Sequence, residues 1–545
     1  MKVMHESGNH PDDLVDYNLF STNLALVDAL EREGAAAAQD SLRQLGERLG
    51  TRAMFALGDV ANRNPPVLKI FDRFGHRRDE VEFHPAWHEL MSELVAEGLH
   101  TSPWAQPRPG AHVQRAAAYL LWGEVENGTQ CPATMTYGAV PTLARQADDF
   151  KEWLPRLLSR DYDERLIPIA QKRGALMGMG MTEKQGGSDV RSNATRAAPA
   201  GARGAGREYR LTGHKWFFSA PMCDAFLVTA QADGGPSCFF VPRVLPDGTR
   251  NALHLQRLKD KMGNRSNASS EVEFDDTFGL LVGEEGRGIP TILEMGVYTR
   301  FDNALVTGGI MHQCVAQAVH HARHRSAFGR LLIDQPLMKN VLADLALECE
   351  AAIAFSLRLA RAFDARTDEA QTALRRLLTP VAKYWICKRG PMVAAEAMEV
   401  LGGNGYIEEG PIARRFREMP LNSIWEGSGN IMCLDVLRAL AREPRTLEAL
   451  AALLQRNRGG DARFDAYAAS LLEDLRAGSG GEVAARVLTE RVALAAQASI
   501  LLEGGSSHVV DAFIESRISR GAPPSFGVLP GAADFDVLIE RALKA

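Results

Sequence analysis

The feature that most limits how this chain can fold is a change of texture between about residues 175 and 285. Before it, Leu24 to Leu49, His88 to Glu97 and Arg115 to Val125 carry apolar residues at helical spacing. Pro65-Pro66 and Pro103 to Pro109 interrupt this first part, which reads as helical to about residue 170. Inside the change come short runs rich in β-branched and aromatic residues: Tyr209 to Phe218, Ala225 to Ala230, Cys238 to Pro242 and Ser270 to Phe274. They predict a small all-β domain, with Ala198 to Gly206 as a long exposed loop inside it. After it, Thr307 to His324, Gln335 to Arg361, Glu369 to Lys388 and Pro391 to Leu401 are long enough for a four-helix bundle. Thr446 to Gln455 opens a last helical segment. Helices, then strands, then helices imply an α+β multidomain chain and exclude a doubly wound sheet, in which the two alternate. The expected boundaries are 1–174 (helical), 175–285 (β), 286–440 (four-helix bundle) and 441–545 (an extra C-terminal helical domain).

At 545 residues the chain has room for three or four domains. Its net charge of -6 gives no global attraction to nucleic acid or acidic membranes, so any anion-binding role must rest on a local patch. The seven cysteines form no C-x-x-C spacing and are odd in number. That argues against a disulfide framework or structural zinc and fits a reducing cytoplasm. Met1 to Asp13 is polar, with no apolar core for a signal peptide, and no apolar stretch reaches the ~20 residues that span a bilayer.

Five segments are candidates for chemistry. Gly178 to Asp189 is glycine-rich: taken alone it reads first as a turn, or as a loop whose backbone N–H groups approach a ligand, with Thr182 and Ser188 offering hydroxyls. It lacks the spacing and following helix of a Rossmann loop. Lys215-Trp216-Phe217-Phe218-Ser219 reads first as core packing, or as a strand laying aromatics and a hydroxyl against a planar ring. Arg325 to Gly329, followed by Gln335, closes a basic helical run; an arginine there is a solvated charge or a bidentate phosphate ligand. His320 and His324 stand four apart, but no carboxylate or further histidine is placed to complete a metal shell, so no metal is expected. Leu401 to Tyr406, with Gly402-Gly403, is a helix cap or a close approach to a cofactor. In Ile424-Trp425-Glu426-Gly427-Ser428-Gly429-Asn430, a carboxylate beside a large aromatic can be desolvated into the working range of a general base.

In order and spacing these segments, together with Asp260 to Ser266 and Leu281 to Ile289, resemble the acyl-CoA dehydrogenase family over roughly residues 100 to 440. The resemblance implies that the β domain is a barrel and that FAD lies between it and the bundle. It implies that Met179, Met181, Thr182, Gly187 and Ser188 contact flavin and pyrophosphate, and that Trp216, Phe217, Phe218 and Ser219 line the isoalloxazine. Arg325 and Gln335 would bind the adenosine and phosphate portion across a subunit interface near Gly402 and Gly403. Trp425, Gly427, Ser428, Gly429 and Asn430 would complete the cofactor site. Glu426 would be the catalytic base that takes the α-proton of an acyl thioester. A relocated base would fall near Thr299, which cannot serve.

Lys184 replaces the proline usual in the family's Thr-Glu-Pro loop, Trp425 replaces a tyrosine, and the chain runs about 100 residues past a typical member. In these features it resembles the AidB subfamily, flavoproteins of the adaptive response to DNA alkylation. That resemblance implies a homotetramer that binds double-stranded DNA through its C-terminal domain and dehydrogenates isovaleryl-CoA weakly. The alternative it leaves is an ordinary dehydrogenase of branched-chain or fatty acyl catabolism. Residues 441–545 hold 12 basic and 14 acidic residues, so a wholly basic domain is excluded. Arg442, Arg445, Arg456, Arg458 and Arg463, with Arg517 and Arg520, are the candidates for a local positive strip; the competing reading is a helical oligomerisation domain with solvated arginines. No helix-turn-helix or zinc finger is recognisable, so base-specific readout is not expected.

Overall fold

The computed structural model describes residues 8–478 and 480–545; the first seven residues of the polar start lie outside them. The chain forms two compact units that do not follow chain order. One holds Met1–Phe55, Arg108–Val125 and Asn303–Ala545; the other holds Ala56–Pro107 and Glu126–Asp302.

The second unit is built on a barrel. Its strands are β3 (Met177–Thr182), β4 (Arg196–Pro199), β5 (Glu208–Ser219), β6 (Ala225–Ala232), β7 (Gly235–Pro242), β8 (Leu253–Leu258) and β9 (Ser269–Val282), while β1 (Val67–Phe71) and β2 (Arg77–Glu82) form a separate hairpin. β3 pairs antiparallel with β5 and parallel with β6, and β5–β9, β9–β7 and β7–β6 complete the ring, so the sheet closes on itself. Closure removes the exposed edges that a small sheet would otherwise present. The first six residues of β6 are all buried, as in a strand covered on both faces. Gly178 and Gly180 owe their identity to this packing: a Cβ on them would lie 2.5 Å from the rings of Phe226 and Phe218. Glycine there admits neighbouring aromatics.

The hairpin is a departure from the helical expectation for residues 1–174. Asp72-Arg73-Phe74-Gly75 makes its turn, with Gly75 at φ +83°, and Asp79 Oδ1 accepts the Leu255 N–H of β8 at 3.0 Å. The β-branched and aromatic content of Val67-Leu68-Lys69-Ile70-Phe71, bounded by Pro65-Pro66 and Asp72, was the available signal.

The first unit is helical. Its central helix, Pro336–Asp364, packs against Leu24–Arg32, Ala111–Gly123, Glu369–Val400, Ala485–Leu502 and Phe535–Ala542. It is buried without interruption from Leu342 to Ala360, as a helix surrounded on all sides must be. Three carboxylates lie in that stretch, and burial demands partners for them. Asp344 and Glu348 receive Arg517, Glu348 also receives Arg389, and Glu350 receives Arg541. Arg517 and Arg541 come from the C-terminal segment, which buried ion pairs thus tie to the bundle. Glu369–Val400 runs unbroken through Pro391, where the sequence reading divided it. A proline removes one hydrogen bond from a helix, but packing on both sides of it holds the axis.

Candidate active site

In the helical unit, Ala413–Asn422 and Gly429–Arg442 are joined by a short turn that carries Trp425 and Glu426. Glu426 sits at φ +60° and Gly427 at φ +106°. Glycine adopts such angles freely, whereas a glutamate in the left-handed region costs about 1–3 kcal/mol and persists only when its surroundings impose it. Two contacts do so here. Lys383, from Glu369–Val400 and 1% exposed, donates from Nζ to the Trp425 carbonyl at 2.8 Å and to the Gly427 carbonyl. Asn422 Nδ2 donates to Thr307 Oγ1 at 3.1 Å, and that hydroxyl donates to the Asn303 carbonyl at 2.7 Å. Neither Lys383 nor Thr307 stood out in the sequence, because a lysine or threonine on a helix is ordinarily solvated.

Two other positions of the turn keep a polar group that the turn's own hydrogen bonds do not use. Trp425 Nε1 is buried without a hydrogen-bond partner. Ser428 stands at the N-cap of Gly429–Arg442 yet makes no side-chain cap bond, so its hydroxyl is not consumed by the helix. Asn430 Oδ1 accepts from Arg486 Nε at 2.9 Å, a contact from the C-terminal segment that the sequence did not signal. Gly402, at φ +60°, and Gly403 have open space where a Cβ would be. Arg325 donates to the Asn9 carbonyl and Gln335 Nε2 to the Ala327 carbonyl at 3.0 Å. Between them Ser326–Ala327 and Arg330–Leu331 form a tight hairpin whose tip, Phe328, is wholly exposed. His320 Nε2 and His324 Nδ1 face the carbonyls of Asp12 and His320 at 2.8 Å, so main chain occupies both nitrogens.

In the barrel unit, the β5–β9 register shifts between Lys215 and Phe218. The extra residue of such a bulge lets Lys215 and Phe218 both face inward while Trp216 and Phe217 stay outside. Phe217 is 51% exposed. Half-buried Trp216 has the Lys259 ammonium 3.6 Å from its ring centre, with Lys184 and Arg257 further off, a cation-π arrangement that holds the indole flat. Phe218, expected to line a ring, instead packs inside the barrel against Phe226, ring centres 4.4 Å apart. Met179 likewise belongs to the core. Met181 and Thr182 are half-buried at the end of β3, Ser219 is half-buried at the end of β5, and Gly187 and Ser188 are exposed. Thr299 is buried, its hydroxyl donating to the Gly296 carbonyl at 3.1 Å.

The same bulge sets Lys215 against Glu183, both fully buried, Nζ to Oε1 at 2.6 Å. Burial raises the Glu183 carboxyl, but the Lys215 charge and hydrogen bonds from Thr195 and Gln185 outweigh it and hold the group at about 2. Burial brings Lys215 down to about 8 against the pull of Glu183. Glu183 also accepts the Ala194 N–H at 2.6 Å. The pair therefore fastens the loop after β3, which carries Gly187 and Ser188, to the barrel.

The arginines of the C-terminal segment divide. Arg442, Arg445, Arg456, Arg458 and Arg520 are exposed. Arg445 pairs with Glu369, Arg456 with Glu503 and Arg520 with Glu515. Arg463 is held by Asp461, Asp511 and Glu515 together. Arg517 is 0% exposed between Asp344 and Glu348, which removes it from the candidates for phosphate contact.

A closed barrel, a long-helix bundle and a glutamate-bearing turn between two of its helices define a dehydrogenase of the acyl-CoA type. Known proteins agree. Residues 9–164 match the Adaptive response protein AidB N-terminal domain, 178–277 the Acyl-CoA dehydrogenase middle domain and 286–441 the Acyl-CoA dehydrogenase C-terminal domain. AidB of Escherichia coli strain K12, named as an acyl-CoA dehydrogenase, is 49% identical over 520 residues, covering 95% of each chain. The fold is shared with Caenorhabditis elegans ACDH-11 in complex with C11-CoA (TM-score 0.83, 24% identity, 99% of this chain and 93% of that one). It is also shared with a Bacillus anthracis acyl-CoA dehydrogenase complexed with FAD (TM-score 0.65, 20% identity, 79% and 80%). The chain belongs to the acyl-CoA dehydrogenase family and carries an AidB N-terminal domain. It is accordingly an enzyme of the FAD-dependent acyl-CoA dehydrogenase type. Within the helical unit, an indole N–H without a partner among the described residues, a serine hydroxyl free of the helix cap and open glycines are groups that suit such a cofactor's polar edge and phosphates. Among the described residues, no helix is long and apolar enough to cross a membrane.

Proposed function

We propose that this chain is an AidB-type flavoprotein that dehydrogenates short branched acyl-CoA thioesters of the isovaleryl kind weakly and binds double-stranded DNA without sequence preference. The observation that carries the enzymatic half is the imposed left-handed turn at Glu426. Strain of this kind is retained where a side chain must be held in one direction, as a base must. When bound, FAD supplies the acceptor for the β-hydrogen, which leaves as hydride. Glu426 takes the α-proton on a carboxylate oxygen, and the bulk of Trp425 narrows the room beside it for the acyl chain. Within the helical unit, Trp425, Ser428 and Asn430 are the cofactor contacts we assign. Arg325, Gln335, Gly402 and Gly403 serve the adenosine end of a partner subunit's cofactor in a cytoplasmic homotetramer.

The DNA-binding half draws on near-full-length similarity to AidB and on Arg442, Arg445, Arg456, Arg458 and Arg520, which are exposed. Among the described residues, no ion pair of Arg442 or Arg458 competes with a phosphate. Contacts of this kind are electrostatic, so gel retardation of a duplex of arbitrary sequence is expected at low salt and is expected to weaken steeply as salt rises. No retardation at low salt would remove this half. The presence of Glu426 also supports the ordinary dehydrogenase reading. An acyl-CoA screen with an electron acceptor separates the two: turnover in the usual enzyme range of roughly 1–1000 per second supports the ordinary enzyme, and trace turnover supports the AidB type.

A further inference from the structure

We propose that Lys383 is a positioning residue for the base: by bridging the carbonyls on either side of Glu426, it fixes the turn from which the carboxylate reaches the acyl α-carbon. This rests on the reading of Glu426 as the base.

A lysine head group is costly to bury and is retained only where hydrogen bonds or charge compensate it. Lys383 is buried within Glu369–Val400, and its Nζ reaches the carbonyl of the residue before Glu426 and that of the residue after it. Left to itself, a glutamate at φ +60° relaxes toward a right-handed conformation. That relaxation turns the Trp425–Glu426 peptide plane, which carries the first carbonyl, and redirects the chain into Gly427, so the two carbonyls no longer both face Nζ. The bridge therefore opposes the one motion that would re-aim the carboxylate. The other foot of the turn is already held by Asn422 through Thr307. Displacing a reacting group by about 1 Å costs on the order of 100-fold in rate, so a contact that never touches substrate can still govern turnover.

The test uses FAD-loaded full-length protein, isovaleryl-CoA in unlabelled and α-deuterated form, and a dye as electron acceptor. Lys383→Met is expected to lower kcat by about tenfold or more with KM within about twofold, and to enlarge the deuterium isotope effect, because proton removal becomes slower than the steps around it. Lys383→Arg, which keeps several donors, recovers part of the loss. Glu426→Gln shows no turnover. Wild-type kcat and isotope effect in Lys383→Met, or a loss confined to KM, overturn the role of Lys383 while a silent Glu426→Gln leaves the base standing. Wild-type turnover in Glu426→Gln overturns both. If the methionine form does not fold, Lys383→Gln is read instead: its side chain is one bond shorter and its amide fixes both N–H donors in one plane, so it does not reproduce the bridge, and wild-type kinetics in it overturns the proposal.

Discussion

The barrel and the helical unit each bury a lysine completely, and they use it differently. Lys215 meets a carboxylate, Glu183, which also collects main-chain N–H groups of the following loop. Its job ends in the fold: a loop is fastened to a strand. Lys383 meets the main-chain carbonyls around Glu426 and holds a glutamate in a conformation that it would not choose. The contrast teaches that a buried charge is read from what its partner does next. One partner is a buried carboxylate and the other is the backbone of the turn that carries the proposed base.

Four changes bear on this contrast. Lys215→Met leaves Glu183 buried without its cation and is expected to destabilise the protein by about 3–5 kcal/mol in denaturant titration, whereas Lys215→Met with Glu183→Gln recovers most of it. Equal stability of the single and double variants would break the assignment of Lys215 as an ion-pair anchor. Lys383→Met, by contrast, is expected to cost more in turnover than in folding. Gly427→Ala places a Cβ at φ +106° and 2.5 Å from the flexible end of Met432; a loss of about 1–3 kcal/mol is expected, read as a lower denaturation midpoint.

The smallest effect concerns a third buried pair, Glu124 with His312, Oε1 to Nδ1 at 3.0 Å. Burial opposes charge on His312, but the Glu124 carboxylate and the Ala542 carbonyl outweigh it and raise the imidazole above 6.5. Burial raises Glu124 as well. A raised histidine stabilises the folded state below its unfolded value and loses that contribution as pH climbs through the folded one, and a raised carboxyl adds a cost in the same direction. Thermal stability is therefore expected to fall as pH rises from about 6.5, with a flatter slope in His312→Gln, by calorimetry across that window. A slope unchanged by the substitution would show that the pair does not titrate.

Much of this was legible in the sequence. The texture change near residue 175 located the barrel, and the segment around Glu426 marked the turn. What escaped it was direction. Trp216, Phe217 and Phe218 are adjacent in sequence, and only the bulge in β5 decides which ring enters the core. Arg517 reads like its exposed neighbours, yet it lies in a buried ion pair within a stretch of π-helix. Lys383 lies more than forty positions before the turn it supports, in a helix whose pattern marks no special residue. Side chains whose role depends on distant backbone leave no local signature. The hairpin at Val67–Glu82 is the converse case, a short run of strand-favouring residues within a helical context.

The most direct measurement is anaerobic mixing of the FAD-loaded protein with isovaleryl-CoA while the flavin absorbance is followed. The wild-type chain is expected to bleach, and Glu426→Gln is expected to bind the thioester without bleaching, at least about 100-fold slower. Bleaching of Glu426→Gln at the wild-type rate would contradict the assignment of Glu426 as the base.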